Sequence, residues 1–585
     1  MQAIYISNTK KDEKLFREIE NLLQEKKDLP KTPDLYLRMF YNNHHLSYYQ
    51  NGNDFVANNG TFVYKDLFNR KALELFYRDL MAGQKLSALL PEAHGQFFMV
   101  ASIAGKLYVV TDKIGTIPVY LLRSQGTIEI SNLYHPLSKN PAVKYTVNFD
   151  HLAQQLSFGG SGTHLFTGET LFNEISYMDA GTIFTIEKDR INKECYYDLK
   201  KDIQFGKYKT LPQVVDAVIA ELEKNYKFLD NVERVFCGIT GGCDTRLNLG
   251  ILLRKKKKFV CGNMILANER GLRRGKFSDL HITSKIAKEL GLEYKNFGAS
   301  EADIAKWADD NKAFIESHKD TVGSPHRYYY YYSVSKGFDM ELTGIGGTEF
   351  FNKFSNEYYR KGGNFDIEEF LASHSYNDIL QDRYYNGQKY KEKLRRYVSG
   401  ILEGVSYSTR GDFLTYILHD GTWRNFQNDY IAAINTLCTA YSPYFEPGMV
   451  KIMMETPYRL KGFHSIQRSV YARIMDKRLS DIDTTHGYPP TKIRPGNFHR
   501  FLRLLNPIEP SLQYYGPLER ARIFYGSYLH NMNRAELYNL KEDNPVYKYI
   551  DEDKLNRRKL FVTNNFLTDW VSRYFDKLPY YDAMK

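Results

Sequence analysis

The chain of 585 residues holds three tryptophans and five cysteines. Cys195, Cys237, Cys243, Cys261 and Cys438 follow no metal-ligand spacing and form no even set. That argues against a zinc module and against a disulfide framework. Such sparse use of cysteine fits a reduced cytoplasm. Residues 1–26 lack the apolar core of a secretion signal. No apolar run reaches the roughly 20 residues of a membrane helix, so no membrane partner is expected. No Gly-rich stretch ends in Lys-Ser or Lys-Thr, so a Walker phosphate loop is absent. Charge is not concentrated either. The formal charge is +11, which permits anionic partners. Yet Lys and Arg are scattered, and the one run, Arg254-Lys255-Lys256-Lys257-Lys258, reads as a solvated turn. No nucleic-acid partner is expected.

What is present is a globular composition, 43% apolar, in a chain long enough for two to four domains. Residues 1–35 read as a polar helical extension, with Leu15, Ile19 and Leu22 on one face. Residues 36–205 read as short alternating strands, among them 97–101, 106–110 and 118–122. An amphipathic helix at 67–81 interrupts them, which suggests an α+β sandwich. Residues 206–500 begin with alternating helices and strands. Val214, Val218 and Leu222 mark a helix at 212–226. Strands are expected at 235–239, 259–264, 293–297 and 340–343, with helices at 247–253 and 278–290. That order predicts an α/β doubly wound parallel sheet, whose ligands bind at the carboxyl ends of the strands. The tyrosines at 328–332 read as part of an aromatic helix packed on the sheet. From residue 365 on the pattern is mostly helical, and residues 501–585 form a helical C-terminal extension.

The stretch that carries chemistry follows the 235–239 strand. It reads Thr240-Gly241-Gly242-Cys243-Asp244-Thr245. A glycine pair between a strand and a helix lets the backbone approach a ligand. It aims free N–H groups and the helix dipole at an anion. Asp244 adds a carboxylate, which suits a phosphate only if Mg²⁺ lies between them. The alternative is an ordinary tight turn.

This loop resembles the Ser-Gly-Gly-x-Asp-Ser signature of the ATP pyrophosphatase (PP-loop) superfamily, with threonines for the serines. Arg246 after it fits the asparagine-synthase branch. Thr343-Gly344-Ile345-Gly346-Gly347-Thr348-Glu349-Phe350-Phe351 resembles that family's second loop, Ser-Gly-x-Gly-x-Asp-Glu-Leu-Phe. Upstream, Asn59-Gly60, Gly95-Gln96-Phe97-Phe98, Asp112-Lys113-x-Gly115 and Pro118-Val119-Tyr120 resemble strand–turn elements of its glutaminase domain. Tyr441-Ser442-Pro443-Tyr444-Phe445-Glu446 resembles its Arg-x-Pro-Phe-Leu-Asp element, without the arginine.

The resemblance implies a fold and a site. An Ntn-hydrolase-like sandwich at 36–205 precedes a PP-loop domain at 206–500. ATP is held by Thr240, Gly241, Gly242, Cys243, Asp244 and Thr245, by Gly344, Gly346 and Gly347, and by the strand end at Met264. Asp244, with Glu349, holds Mg²⁺. The family's activity is adenylation of a carboxylate followed by amide formation. Three departures bear on that activity. Gln2 stands where the glutaminase has its N-terminal cysteine, so glutamine hydrolysis is not expected. Thr348 replaces the metal-binding Asp. Thr485 replaces the lysine that stabilises charge in amide formation, leaving His486, Lys492 or Arg494 as candidates. Nitrogen then comes from ammonia, a partner glutaminase or an amine on the substrate, which is a small-molecule or peptide carboxylate. β-Lactam synthetases and lasso-peptide cyclases have this architecture with an inactive first domain. Two other readings remain: a catalytically inactive binding protein, and a tRNA-modifying ATP pyrophosphatase.

Overall fold

The computed structural model describes residues 2–8, 16, 25–30, 35–41, 47–158, 168–187, 190–263, 279–311, 325–347, 365–368, 380–404, 409–418, 428–484, 490, 549 and 551. Fourteen strands come first. They are β1 (Gln2–Ser7), β2 (Glu25–Asp28), β3 (Tyr36–Tyr41), β4 (Tyr48–Asn51), β5 (Asp54–Gly60), β6 (Val63–Tyr64), β7 (Leu67–Phe68), β8 (Phe97–Ile103), β9 (Lys106–Thr111), β10 (Tyr120–Ser124), β11 (Thr127–Ser131), β12 (Ile175–Tyr177), β13 (Thr182–Glu187) and β14 (Arg190–Cys195). Twelve of them build two antiparallel sheets of six, ordered β12-β10-β11-β1-β3-β2 and β14-β13-β9-β8-β5-β4, and β6 pairs with β7 alone.

Alternation along the strands explains why the sheets stack. Phe98 and Val100 of β8 and Val109 of β9 share one core with Ile4, Ile6, Leu37 and Met39 of the other sheet. Their neighbours Phe97, Met99, Ala101 and Val110 point the other way, onto the helix Asn69–Met81 through Ala72, Leu73 and Phe76. Burying each of the larger of these side chains contributes about 1.5–3 kcal/mol. The helix is two residues shorter than the 67–81 expected, because Leu67 and Phe68 pair with Val63 and Tyr64 instead.

The expected helical extension at 1–35 is wrong at both ends. β1 lies between β11 and β3, inside its sheet, and β2 pairs with β3. The reason is burial on both faces. Ala3, Ile4, Tyr5 and Ile6 are all buried, so the segment shows no polar–apolar alternation for a sequence pattern to catch. Leu15, Ile19 and Leu22 lie outside the described residues.

A third sheet holds β15 (Val235–Gly238), β16 (Val260–Asn263), β17 (Tyr294–Asn296), β18 (Met340–Leu342) and β19 (Ala440–Tyr441). Its order is β17-β16-β15-β18-β19, and each pairing is parallel. This is the doubly wound arrangement expected from the sequence, with one strand more. β19, two residues long, carries too little pattern to be read, and β18 was expected to be the last. The helix Leu211–Asn225 begins with a capping box of Thr210 and Gln213 and buries Val214, Val218 and Leu222. The tyrosine run lies in the helix Pro325–Ser335, where Tyr330 meets Phe236 and Phe297 edge-on. Beyond the sheet come further helices, including Gly387–Gly404, Asn428–Leu437, Pro447–Glu455 and Ser465–Ile474. Among the described residues no helix is long and apolar enough to cross a membrane. Arg254, Lys256 and Lys258 are exposed, as a solvated turn requires.

Candidate functional site

The chain passes from β15 outward to β16 and β17 on one side, then returns to β18 on the other. The switch point lies between β15 and β18, and the loops leaving their carboxyl ends are neighbours there. Those loops are the two Gly-rich stretches.

The first loop runs into the helix Asp244–Arg254, so Asp244 opens the helix rather than preceding it by a turn. No side chain caps that N-terminus, and its positive end therefore faces the loop. The two threonine hydroxyls shape the loop from within. Thr245 Oγ1 accepts from Thr240 N at 2.9 Å and lies 3.1 Å from Thr240 Oγ1. Thr240 Oγ1 in turn accepts from Gly242 N at 3.3 Å. Gly241 N–H donates to Asp279 Oδ1 at 2.6 Å, so the loop already offers an amide to an anionic oxygen.

The second loop follows β18 and presses on the first. A Cβ on Gly344 would lie 2.7 Å from Thr245 Cγ2 and 2.9 Å from the Thr245 amide nitrogen. A Cβ on Gly347 would lie 2.7 Å from Asp244 Cβ, Cγ and Oδ1. Only glycine lets the two backbones come this close. Asn248 ties them further: its Nδ2 donates to Thr343 O at 2.9 Å, and its Oδ1 accepts from Tyr226 Oη at 2.6 Å.

Side chains from far along the chain fix Asp244 and its neighbours. Gln467 Nε2 donates to Asp244 Oδ1 at 2.6 Å. Tyr444 Oη donates to Asp244 O at 2.7 Å, and Tyr471 Oη donates to Cys243 O. Burial raises both phenols well above their ordinary value, so they stay protonated donors. Arg246 is fully buried. Its guanidinium donates to Ile482 O at 2.7 Å and Asp483 O at 2.6 Å. Burial lowers its pKa from the ordinary value.

Of the residues expected at the site, the structure brings together Thr240, Gly241, Gly242, Cys243, Asp244, Thr245, Gly344, Gly346 and Gly347. Met264, Thr348, Glu349, Thr485, His486, Lys492 and Arg494 lie outside the described residues. So does Ser278, the expected N-cap of the 278–290 helix, which is described as Asp279–Leu290. Arg246 anchors residues 482–483, directly before the segment that carries His486 and Lys492. Gln467, Tyr444, Tyr471 and Asp279 were not expected as site residues. Gln467 and Tyr471 gave no local signal, since their partners are more than 200 residues away, and Tyr444 was read only as part of the 441–446 element. Asp279 could have been found as the acid opening a helix after β16.

The donor set suits a metal that arrives with phosphate. Among the described residues no three His, Cys, Asp or Glu side chains gather into a metal cage. The Asp244 carboxylate at a glycine-rich helix start fits Mg²⁺, which keeps waters and phosphate oxygens as its other ligands. Four of the five thiols, those of Cys237, Cys243, Cys261 and Cys438, are poor nucleophiles. Burial pushes Cys243 and Cys261 up to about 12 and raises Cys237 and Cys438 well above the ordinary value.

No family model matches this sequence, and no curated protein matches it. Solved structures do match. One is the allosteric regulatory enzyme of purine biosynthesis, at 8% identity, TM-score 0.22, covering 53% of this chain and 88% of that one. Another is glutamine phosphoribosylpyrophosphate amidotransferase from B. subtilis complexed with ADP and GMP. It is 8% identical, with TM-score 0.21, covering 60% of this chain and 77% of that one.

Proposed function

We propose that the chain is an ATP-dependent carbon–nitrogen ligase of the asparagine-synthase kind, with a PP-loop domain behind a glutaminase-like sandwich that has lost its chemistry. The carrying observation is the pair of Gly-rich loops pressed together at the β15/β18 switch point, with Asp244 between them at an uncapped helix start. The boundaries 36–205 and 206–500 serve this reading once β1 and β2 are added to the first domain.

In this reading the helix start at residues 243–245 and the 344–347 loop bind the phosphates of ATP, the Thr240, Gly241 and Gly242 amides shape the loop, and Asp244 would hold Mg²⁺. Mg²⁺ supplies neutralisation of the pyrophosphate charge as it leaves. The substrate carboxylate oxygen attacks the α-phosphorus, and the bond to pyrophosphate breaks. Ammonia or an amine then attacks the acyl carbon, AMP departs, and the amine proton passes to a base. The helix dipole orients the leaving group. Arg246 anchors residues 482–483, and the candidate groups His486 and Lys492 follow them in sequence.

ATP–pyrophosphate exchange over a panel of carboxylic acids tests the reading. Exchange dependent on one acid and on Mg²⁺ supports it, and release of ADP instead overturns it. A second reading is a nucleotide-binding protein without turnover, supported by Thr348 and Thr485 standing where the resemblance expects Asp and Lys. ATP binding with no exchange for any acid would favour that one.

A further inference from the structure

We propose that Gln96, in the sandwich, is a positioning residue for the second Gly-rich loop. It anchors Ser442, and Ser442 holds Ile345, so the sandwich sets the loop that faces Asp244. Gln96 is completely buried directly before β8. Its Oε1 accepts from the backbone N–H of Ser442 at 2.9 Å, across 346 residues of sequence. The Ser442 hydroxyl, also buried, donates to Ile345 O at 2.7 Å. Ile345 lies between Gly344 and Gly346, and the glycines of this loop touch Thr245 and Asp244. Two hydrogen bonds thus link a sandwich side chain to the loop.

The local backbone is built to hold that glutamine still. Gly60 has φ +89° and Gly95 has φ +106°. A Cβ on Gly60 would lie 2.2 Å from Gln96 O, and one on Gly95 would lie 2.1 Å from Thr61 O. Thr61 N donates to Gln96 O at 2.7 Å, which sets the two residues side by side. Thr61 Oγ1 then donates to Ala440 O at 2.8 Å. Gln96 and Thr61 therefore grip β19 and the residue after it together. β19 pairs with β18, and Thr343 N donates to Tyr441 O at 3.0 Å. A buried amide aimed at a backbone N–H is costly to leave unmade. This gives the sandwich a function that needs no thiol.

The tether is tested in the full chain without nucleotide, by hydrogen exchange at residues 343–347. The helix Leu211–Asn225 serves as internal control. Gln96→Met keeps the volume and removes the acceptor, and Ser442→Ala cuts the second link while leaving the first. Exchange at 343–347 is expected to rise about tenfold in each variant, with the control unchanged and Ser442→Thr restoring protection. Unchanged exchange, or equal acceleration in both segments, overturns the proposal. If Gln96→Met does not fold, Ser442→Ala decides alone. The second readout rests on the nucleotide reading above: MgATP affinity should weaken about tenfold in Ser442→Ala and return in Ser442→Thr. Wild-type protein that binds no ATP would refute that reading, while the exchange result would still decide the tether.

Discussion

The side-chain amide of Gln467 donates to the Asp244 carboxylate at 2.6 Å, joining the helix Ser465–Ile474 to the start of the helix Asp244–Arg254. Gln467 is fully buried while Asp244 is half-exposed. One carboxylate oxygen is therefore oriented from the protein side.

Gln467→Met keeps the packing volume and removes this donor. A hydrogen bond to a charged group contributes about 1.5–3 kcal/mol, and the partial exposure of Asp244 favours the low end. MgATP affinity, measured by calorimetry, should fall about tenfold with the fold preserved. An unchanged affinity would mean that Asp244 needs no such support.

Gly347→Ala places a methyl group 2.7 Å from three atoms of Asp244. Asp244 Cβ sits on the helix backbone and cannot swing clear, so the loops must part. Overpacking of this kind costs about 1–3 kcal/mol. The melting temperature should drop by a few degrees, and nucleotide binding should be lost out of proportion to that drop. Wild-type binding in this variant would separate the second loop from the site.

Much of this was legible in sequence. The 240–245 loop, its strand and its helix, and the doubly wound sheet were placed by glycine pattern and periodicity, and the 343–347 loop by its resemblance to a family signature. What could not be read depended on long-range pairing. β1 hid because it is buried on both faces, β19 because it is two residues long. Gln467, Tyr444 and Tyr471 meet the loop only after the C-terminal helices fold back onto it.

Glu341 supplies a pH test that is independent of ligands. It lies on β18, 2% exposed, with Tyr330 Oη donating to Oε1 at 3.2 Å. Burial pushes its carboxyl up from 4.5 to about 8. Between those values the folded state binds more protons than the unfolded state, so stability falls as pH rises through that window. Above about 8 the loss is complete, on the order of a few kcal/mol. In denaturant titrations from pH 5 to 8, Glu341→Gln should flatten this decline. An equal slope in both proteins would show that Glu341 is ionised throughout.

Glutamine hydrolysis is expected to be absent. Glutaminase action in the fold the resemblance implies needs a thiol on the residue that also carries the free α-amine, and residue 2 is Gln2. Pure protein incubated with glutamine and ATP should release no glutamate. Release at catalytic rates, abolished by a thiol reagent, would reveal a nucleophile elsewhere.

The proposed function begins with nucleotide binding, together with Mg²⁺, where the two Gly-rich loops meet. Calorimetric titration of MgATP into wild-type protein and Asp244→Ala, with and without Mg²⁺, tests it most directly. The account predicts Mg²⁺-dependent binding in the wild type. It predicts a loss of at least about a hundredfold in the folded variant, since the metal is a cation held by this carboxylate. Equal affinity in the two proteins, or binding indifferent to Mg²⁺, would contradict it.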